Sequence, residues 1–387
     1  MTLIHDFDEV VERRGTDSKK YSPEYFDSDV IPMWIADTDF KSPKPVVEAI
    51  KNRAVHGVYG YTPVSREFKQ EAVSWMARRF GYQPEVSSAE FVPGVIGGVI
   101  CAIRALTHPG DKILLHTPAY GPFVDGIVNN GRRLNDSRLL LKDGKYEIDF
   151  DDFEKKCRDP RTKLFILCNP HNPTSRVFTE EELRRMGEIC LENHVMVLSD
   201  EIHCDIVFKP HKHIPFASLD KRFEENSITF ISPSKTFNVP GFRTAVMFAA
   251  EPVKHEMVHQ VLVSNKGTGE NIFGTVAFCA AYHSCDYYAD QMVEYLEGNL
   301  KLVEETMDRI NGMELIHPEG TYLFWIDCRG LGLDQETLMD RFVNKAKVGL
   351  HDGLHFGPEG RGFVRLNVAV PRSVLEQALK QIEAEFI

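Results

Sequence analysis

Residues 162–205 read TKLFILCNPHNPTSRVFTEEELRRMGEICLENHVMVLSDEIHCD, and the alternation within them decides the fold class. TKLFILC and HVMVLSD are short apolar runs, the pattern of strands buried on both faces. TEEELRRMGEICLENH between them has the length and spacing of a helix. Strand, helix and strand in succession form a crossover unit, and such units build parallel sheets. The same texture extends outward from Ala89: AEFVPG, DKILLHTPAY, NSITFISPS and RTAVMFAA read as strands, and ICAIRALTHPG reads as a helix. The expected fold is α/β, a mainly parallel central sheet covered by helices, with loops gathered at the carboxyl ends of the strands.

Upstream, residues 1–45 are rich in turn formers and aromatics, including VIPMWIADTDFKSPKP, and read as an ordered arm without a long helix. PKPVVEAIKNRAVHG and SREFKQEAVSWMARRFG follow as helices, the second stopped by a glycine. Downstream, residues 270–310 read as a long helical connection that changes direction near His283 to Asp286. MELIHPEGTYLFWIDCRG, QETLMDRFVNKAKV, GFVRLNVAV and SVLEQALKQIEAEF then form a second, smaller α/β unit. The expected division is an arm at 1–45, a large domain at 46–284 and a small C-terminal domain at 285–387.

With 387 residues and 43% hydrophobic side chains, the chain can bury a large core. Lys and Arg total 45 against 57 Asp and Glu, a net charge of -12, which argues against nucleic acid as a partner. The eight cysteines form no CxxC pair and no spaced metal set, so reduced, buried thiols and no metal are expected. MTLIHDFDEVVERRG reaches Asp6 without an apolar signal core, and no segment has 18 uninterrupted apolar residues. A cytoplasmic enzyme that spans no membrane is the resulting expectation.

The chemistry concentrates where strands end. In FISPSKTFNVPGFRTA, Lys235 sits just past an apolar strand between hydroxyl residues, with Arg243 eight residues on. VMVLSD ends in Asp200, and CNPHNPTS supplies Asn172. An amine for a Schiff base, an acid for a ring nitrogen, an amide for a ring hydroxyl and an arginine for phosphate suggest pyridoxal 5'-phosphate. Each residue alone has a plainer reading: a surface amine, a helix-capping acid, a turn-holding amide. In PGVIGGVICAIRAL, the backbone N–H groups of Gly97 and Gly98 at a helix start suit a phosphate, as does Ser232 or Ser234; a glycine-rich packing turn is the alternative. Tyr120 in HTPAYGPF can lay its ring on the cofactor or simply pack, and His203 can support Asp200 or be structural. Arg365, a charge inside the strand-like FGPEGRGFVRLNVA, suits a carboxylate clamp or a pairing with a domain acid. Tyr61 in YGYTP suggests a loop reaching a site, on this subunit or another.

The ordered set WIADTDF, YGYTP, PGVIGG, PAYGPF, CNPHNPT, SDEIHCD, SPSKTFNVPG and GFVRLN resembles fold-type I pyridoxal phosphate enzymes, particularly the MalY/PatB group of cystathionine β-lyases and cysteine-S-conjugate β-lyases. The resemblance runs from about Trp34 to Asn367. It implies a homodimer with interfacial sites, Tyr61 approaching the phosphate from the opposite subunit, and Tyr120 stacked on the ring. It also implies Asn172 at the ring oxygen, Asp200 at the ring nitrogen, His203 close by, Lys235 as the imine residue and Arg365 at the substrate carboxylate. Two residues depart from the group: Ser175 stands where glycine is usual, and Arg243 is more typical of aminotransferases. The departure at Ser175 leaves two outcomes, altered turn dihedrals or a compensating hydroxyl bond. The implied activity is carbon–sulfur β-elimination on a sulfur-containing amino acid, L-cystathionine or a related conjugate. An aminotransferase is the competing enzyme, and a cofactor-binding regulatory protein with a protein partner is the non-enzymatic alternative.

Overall fold

A computed structural model describes residues 4–265, 267 and 271–387; residue 270, the expected start of the long helical connection, lies outside them. The chain builds one sheet of eight strands: β1 (Ala89–Val92), β2 (Lys112–Thr117), β3 (Arg133–Lys142), β4 (Lys145–Ile148), β5 (Thr162–Cys168), β6 (Met196–Asp200), β7 (Ser227–Ile231) and β8 (Ala245–Phe248). Their order across the sheet is β1-β8-β7-β6-β5-β2-β3-β4. Strands β3, β2, β5, β6 and β7 are mutually parallel, while β8 and the edge strand β4 run antiparallel to their neighbours. Every residue of β6 and β7 is buried, as expected of central strands covered on both faces.

The crossover from β5 to β6 carries helix Glu180–Glu192, which Thr179 and Glu182 open with a reciprocal capping box. Helix Ile272–Ser284 ends at Cys285, and helix Asp286–Met307 starts immediately after it, so the helical connection breaks within the expected 283–286. The hairpin β3–β4 is an addition to the strands read from the sequence. In β3, buried and exposed positions largely alternate, so it lacks the continuous apolar run of the central strands. Its signal was Asp143-Gly144, both at positive φ (47° and 72°), a two-residue hairpin turn.

A second sheet, fully antiparallel, contains β9 (Glu314–Leu315), β10 (Leu323–Asp327), β11 (His351–Asp352) and β12 (Phe363–Asn367) in the order β9-β10-β12-β11. The arm meets this region directly: Ile31–Pro32 pairs in parallel with Val348–Gly349. Asn367 Nδ2 then donates to the carbonyls of Ile35 and Asp37, at 2.6 and 2.7 Å, fixing the arm's path beside β12. Among the described residues, no helix is long and apolar enough to cross a membrane.

Candidate active site

A cavity of about 560 Å³ opens at the carboxyl ends of β1, β2, β5, β6 and β7. Its lining includes Gly97, Tyr120, Asn172, Asp200, His203, Ser232, Ser234, Lys235 and Arg243. Residues separated by more than 140 positions thus face one space, because parallel strands deliver their ends to the same edge of a sheet.

Asp200 is the last residue of β6, buried, with one oxygen accepting from Ile202 N at 3.0 Å. Burial pushes its pKa up to about 7, against the opposing charge of Lys235. Lys235 lies in the turn after β7 and donates to the Ala36 carbonyl at 2.7 Å. Burial pulls its pKa down to about 8; Asp37 opposes this and Arg365 adds to it. Near neutral pH a useful fraction of this amine is therefore free of its proton, which a solvated lysine is not.

Arg365, on β12, sits behind Asn172. Its Nη1 donates to Asn172 Oδ1 at 2.9 Å, and its Nη2 donates to the Trp34 carbonyl at 2.8 Å and to His351 Nδ1 at 2.9 Å. The guanidinium lies over the Phe356 ring, 4.7 Å from its centroid. Its Nε has no partner and no carboxylate pairs with it among the described residues, although the side chain is 1% exposed. Burial lowers its pKa to about 10, so it stays charged. That charge acts on Lys235, Tyr120 and His203, all cavity residues.

At the other wall, Ser232 Oγ lies 2.8 Å from Ser234 Oγ and donates to the Thr244 carbonyl at 2.8 Å. Helix Val95–Leu106 begins here without a side-chain cap, after Gly94 at φ 80°. Gly97 borders the cavity in its first turn. Gly98 does not: its N–H bonds the Gly94 carbonyl at 3.0 Å, and a Cβ there would stand 2.8 Å from the Phe230 ring. Arg243 is exposed, at φ 47°. His203 is buried and held neutral first by burial, then by Lys235 and Arg365, and its Nδ1 has no partner among the described residues. Burial also raises the Tyr120 phenol. Tyr61 stands fully exposed and is not part of the lining. Ser175 has a left-handed φ of 59°, and its hydroxyl donates to the Leu323 carbonyl, a bond that glycine could not make.

The sequence reading singled out no acceptor from the arm, yet Trp34 and Ala36 supply carbonyls to Arg365 and Lys235. It also passed over His351 and Cys168. The assembled groups fit pyridoxal phosphate: an uncapped helix start, two hydroxyls and an arginine for a dianion, a partly unprotonated amine for an aldehyde, and a buried acid for a ring nitrogen.

Residues 28–382 match the family described as aminotransferase class I and II. The chain belongs to this family. Within it, the chain lies on the MalY/PatB-like branch: it is 39% identical to cystathionine β-lyase PatB of Bacillus subtilis (strain 168), over 98% of this chain and 99% of that one. Its fold matches cystalysin from Treponema denticola, which contains a pyridoxal 5'-phosphate cofactor, with TM-score 0.95 and 32% identity over 99% of each chain. It also matches the pyridoxal phosphate-bound C–S lyase of Staphylococcus hominis, with TM-score 0.91 and 34% identity over 100% of this chain and 99% of that one. This family member carries, in one cavity, most of the residues that its sequence offered for cofactor chemistry.

Proposed function

We propose that this protein is a pyridoxal 5'-phosphate-dependent carbon–sulfur β-lyase that converts L-cystathionine or a related cysteine S-conjugate, with water, to a thiol, pyruvate and ammonia. The observation that carries the reading is the cavity itself, which brings an amine of depressed proton affinity, Lys235, together with Asp200 and Asn172, while the buried Arg365, paired with no acid among the described residues, holds Asn172 from behind. The choice of elimination over amino transfer rests on the lyases named above as relatives.

In this reading Lys235 would hold the cofactor aldehyde, and its amine is the base for the proton on the substrate's α carbon. When bound, the cofactor supplies a sink for the electron pair left on that carbon. Asp200 would pair with the ring nitrogen, and a cationic partner there would draw it into its ionised form. Asn172 serves the ring hydroxyl, Tyr120 lies against the ring and His203 stays neutral beside it. Gly97, Ser232, Ser234 and Arg243 hold the phosphate, while Gly98 lets the helix pack on Phe230. Arg365 takes the substrate carboxylate.

The same proposal includes a homodimer in which Tyr61 reaches the partner's phosphate end. Exposed Val55, Val58, Tyr59 and Tyr61 support it, because so many large apolar side chains in one short stretch suit an interface. It also keeps the division into an arm, a large domain to residue 284 and a small domain from 285. The same reading keeps a cytoplasmic setting, which the burial of seven of the eight cysteines suits. The deciding assay follows thiol and pyruvate released from cystathionine without an added 2-oxo acid. Steady release of both supports the lyase; turnover only with a 2-oxo acid, and no thiol, assigns amino transfer instead.

A further inference from the structure

His351 is the direct cross-strand partner of Arg365: the antiparallel register of β11 and β12 sets their Cα positions opposite each other. Its Nδ1 lies 2.9 Å from Arg365 Nη2. Since a guanidinium only donates, Nδ1 must be the acceptor, and the imidazole is the neutral form with its proton on Nε2. Every group acting on the ring favours that form. Burial is the largest influence, followed by Arg365, then His355 with its ring 5.0 Å away, then Lys19, and together they lower the pKa to about 2. Trp34 closes against the ring edge-on at 5.8 Å, and Phe356 packs at 5.0 Å.

A guanidinium has five N–H donors. Three are used, on Asn172, Trp34 and His351, and all three acceptors are neutral. Nε–H, which has no partner among the described residues, and one Nη1–H remain. A carboxylate at position 351 would orient the guanidinium equally well, but it would also neutralise it and compete with any incoming acid. An imidazole acceptor orients without neutralising.

We propose that His351 is a positioning residue for carboxylate recognition, a neutral acceptor that aims Arg365 while leaving its charge available to the ligand. This rests on the reading of Arg365 as the carboxylate site. The test uses the cofactor-loaded protein and propionate as a non-reacting carboxylate, with binding followed by cofactor absorbance. Nitrogen NMR of the wild-type imidazole gives an independent readout.

Nδ1 of His351 is expected unprotonated and Nε2 protonated from about pH 6 to 8. His351→Leu is expected to weaken propionate about 10-fold. His351→Asn, whose Oδ1 reaches where Nδ1 does, restores affinity to within about threefold. His351→Asp, the same shape with a charge, weakens it about 100-fold or more. A role in packing alone would not separate Asn from Asp in this direction. Wild-type affinity in both the Leu and Asp variants, or a doubly protonated ring, overturns the inference. If Arg365→Leu loses propionate binding while those two variants keep it, the present inference fails alone. If Arg365→Leu binds propionate like the wild type, the carboxylate reading of Arg365 fails as well.

Discussion

Arg176, between β5 and the helix Glu180–Glu192, gives its guanidinium to Glu319 at 3.2 Å, to Glu182 at 2.8 Å and to the Tyr146 carbonyl. Arg365, behind Asn172, gives its own to an amide oxygen, a carbonyl and an imidazole nitrogen. Both are buried, at 3% and 1% exposure, so the difference is not one of depth. It is one of balance. Arg176 answers two carboxylates within the fold, so its charge is already compensated. Among the described residues Arg365 is a buried cation without an internal anion, which is costly for stability and makes sense where an anion arrives from outside. Burial alone would have put the two in one class; the inventory of partners separates them.

That contrast can be broken most directly at Arg365. Arg365→Leu is expected to lower kcat/KM by about a thousandfold, about 4 kcal/mol, while thermal unfolding stays near the wild-type midpoint because no acid is orphaned. A large loss of stability would show the residue to be structural. Arg176→Met is the opposite case: it removes the buried cation shared by two carboxylates, leaving Glu319 with Lys145 and Val177 N and Glu182 with Thr179 N, and denaturant unfolding should show a loss of about 3 kcal/mol, with KM of the folded fraction unchanged.

Glu319→Gln sharpens the comparison from the acid's side. This carboxylate accepts from Lys145 at 2.8 Å, Arg176 and Val177 N, and these outweigh burial to hold its pKa below the usual value. Its stabilising contribution is therefore complete above the ordinary glutamate range and fades as pH falls through the depressed value. The Gln variant should lose about 1–2 kcal/mol near neutral pH, and the deficit should shrink in acid unfolding curves. The smallest effect is expected at Ser175→Gly, which relieves a left-handed serine and removes its bond to Leu323. The two changes oppose each other, so stability should shift by less than about 1 kcal/mol. A larger loss would give the hydroxyl a greater share in holding β10 than one bond provides.

Most of the sheet was legible because its central strands are continuous apolar runs, TKLFILC and VMVLSD among them, with helices between. The hairpin β3–β4 was not, because its polar, alternating positions dilute the apolar signal, even with Asp143-Gly144 marking the turn. In the site, side chains with distinctive chemistry were readable: Lys235, Asp200, Asn172, His203 and both serines border one cavity. Gly98 was harder, since a glycine in a helix start serves phosphate and packing equally well and only the Phe230 contact separates them. The carbonyls of Trp34 and Ala36 had no signal at all, because every residue carries the same group and sequence separations of 331 and 199 hide the pairing. His351 was hidden for a related reason: its meaning depends on a register that composition does not show.

The arm's dependence on late residues has a consequence for biosynthesis. Ile31–Pro32 has no strand to pair with, and the Trp34 carbonyl no guanidinium to receive, until residues 348 and 365 exist. A chain emerging from the ribosome can fold much of its large sheet well before that point, yet the arm whose Ala36 carbonyl receives Lys235 is tied down by Asn367 only after residue 367 has emerged. Nascent chains that stop short of residue 367 should thus bypass the vitamin, and longer ones should capture it.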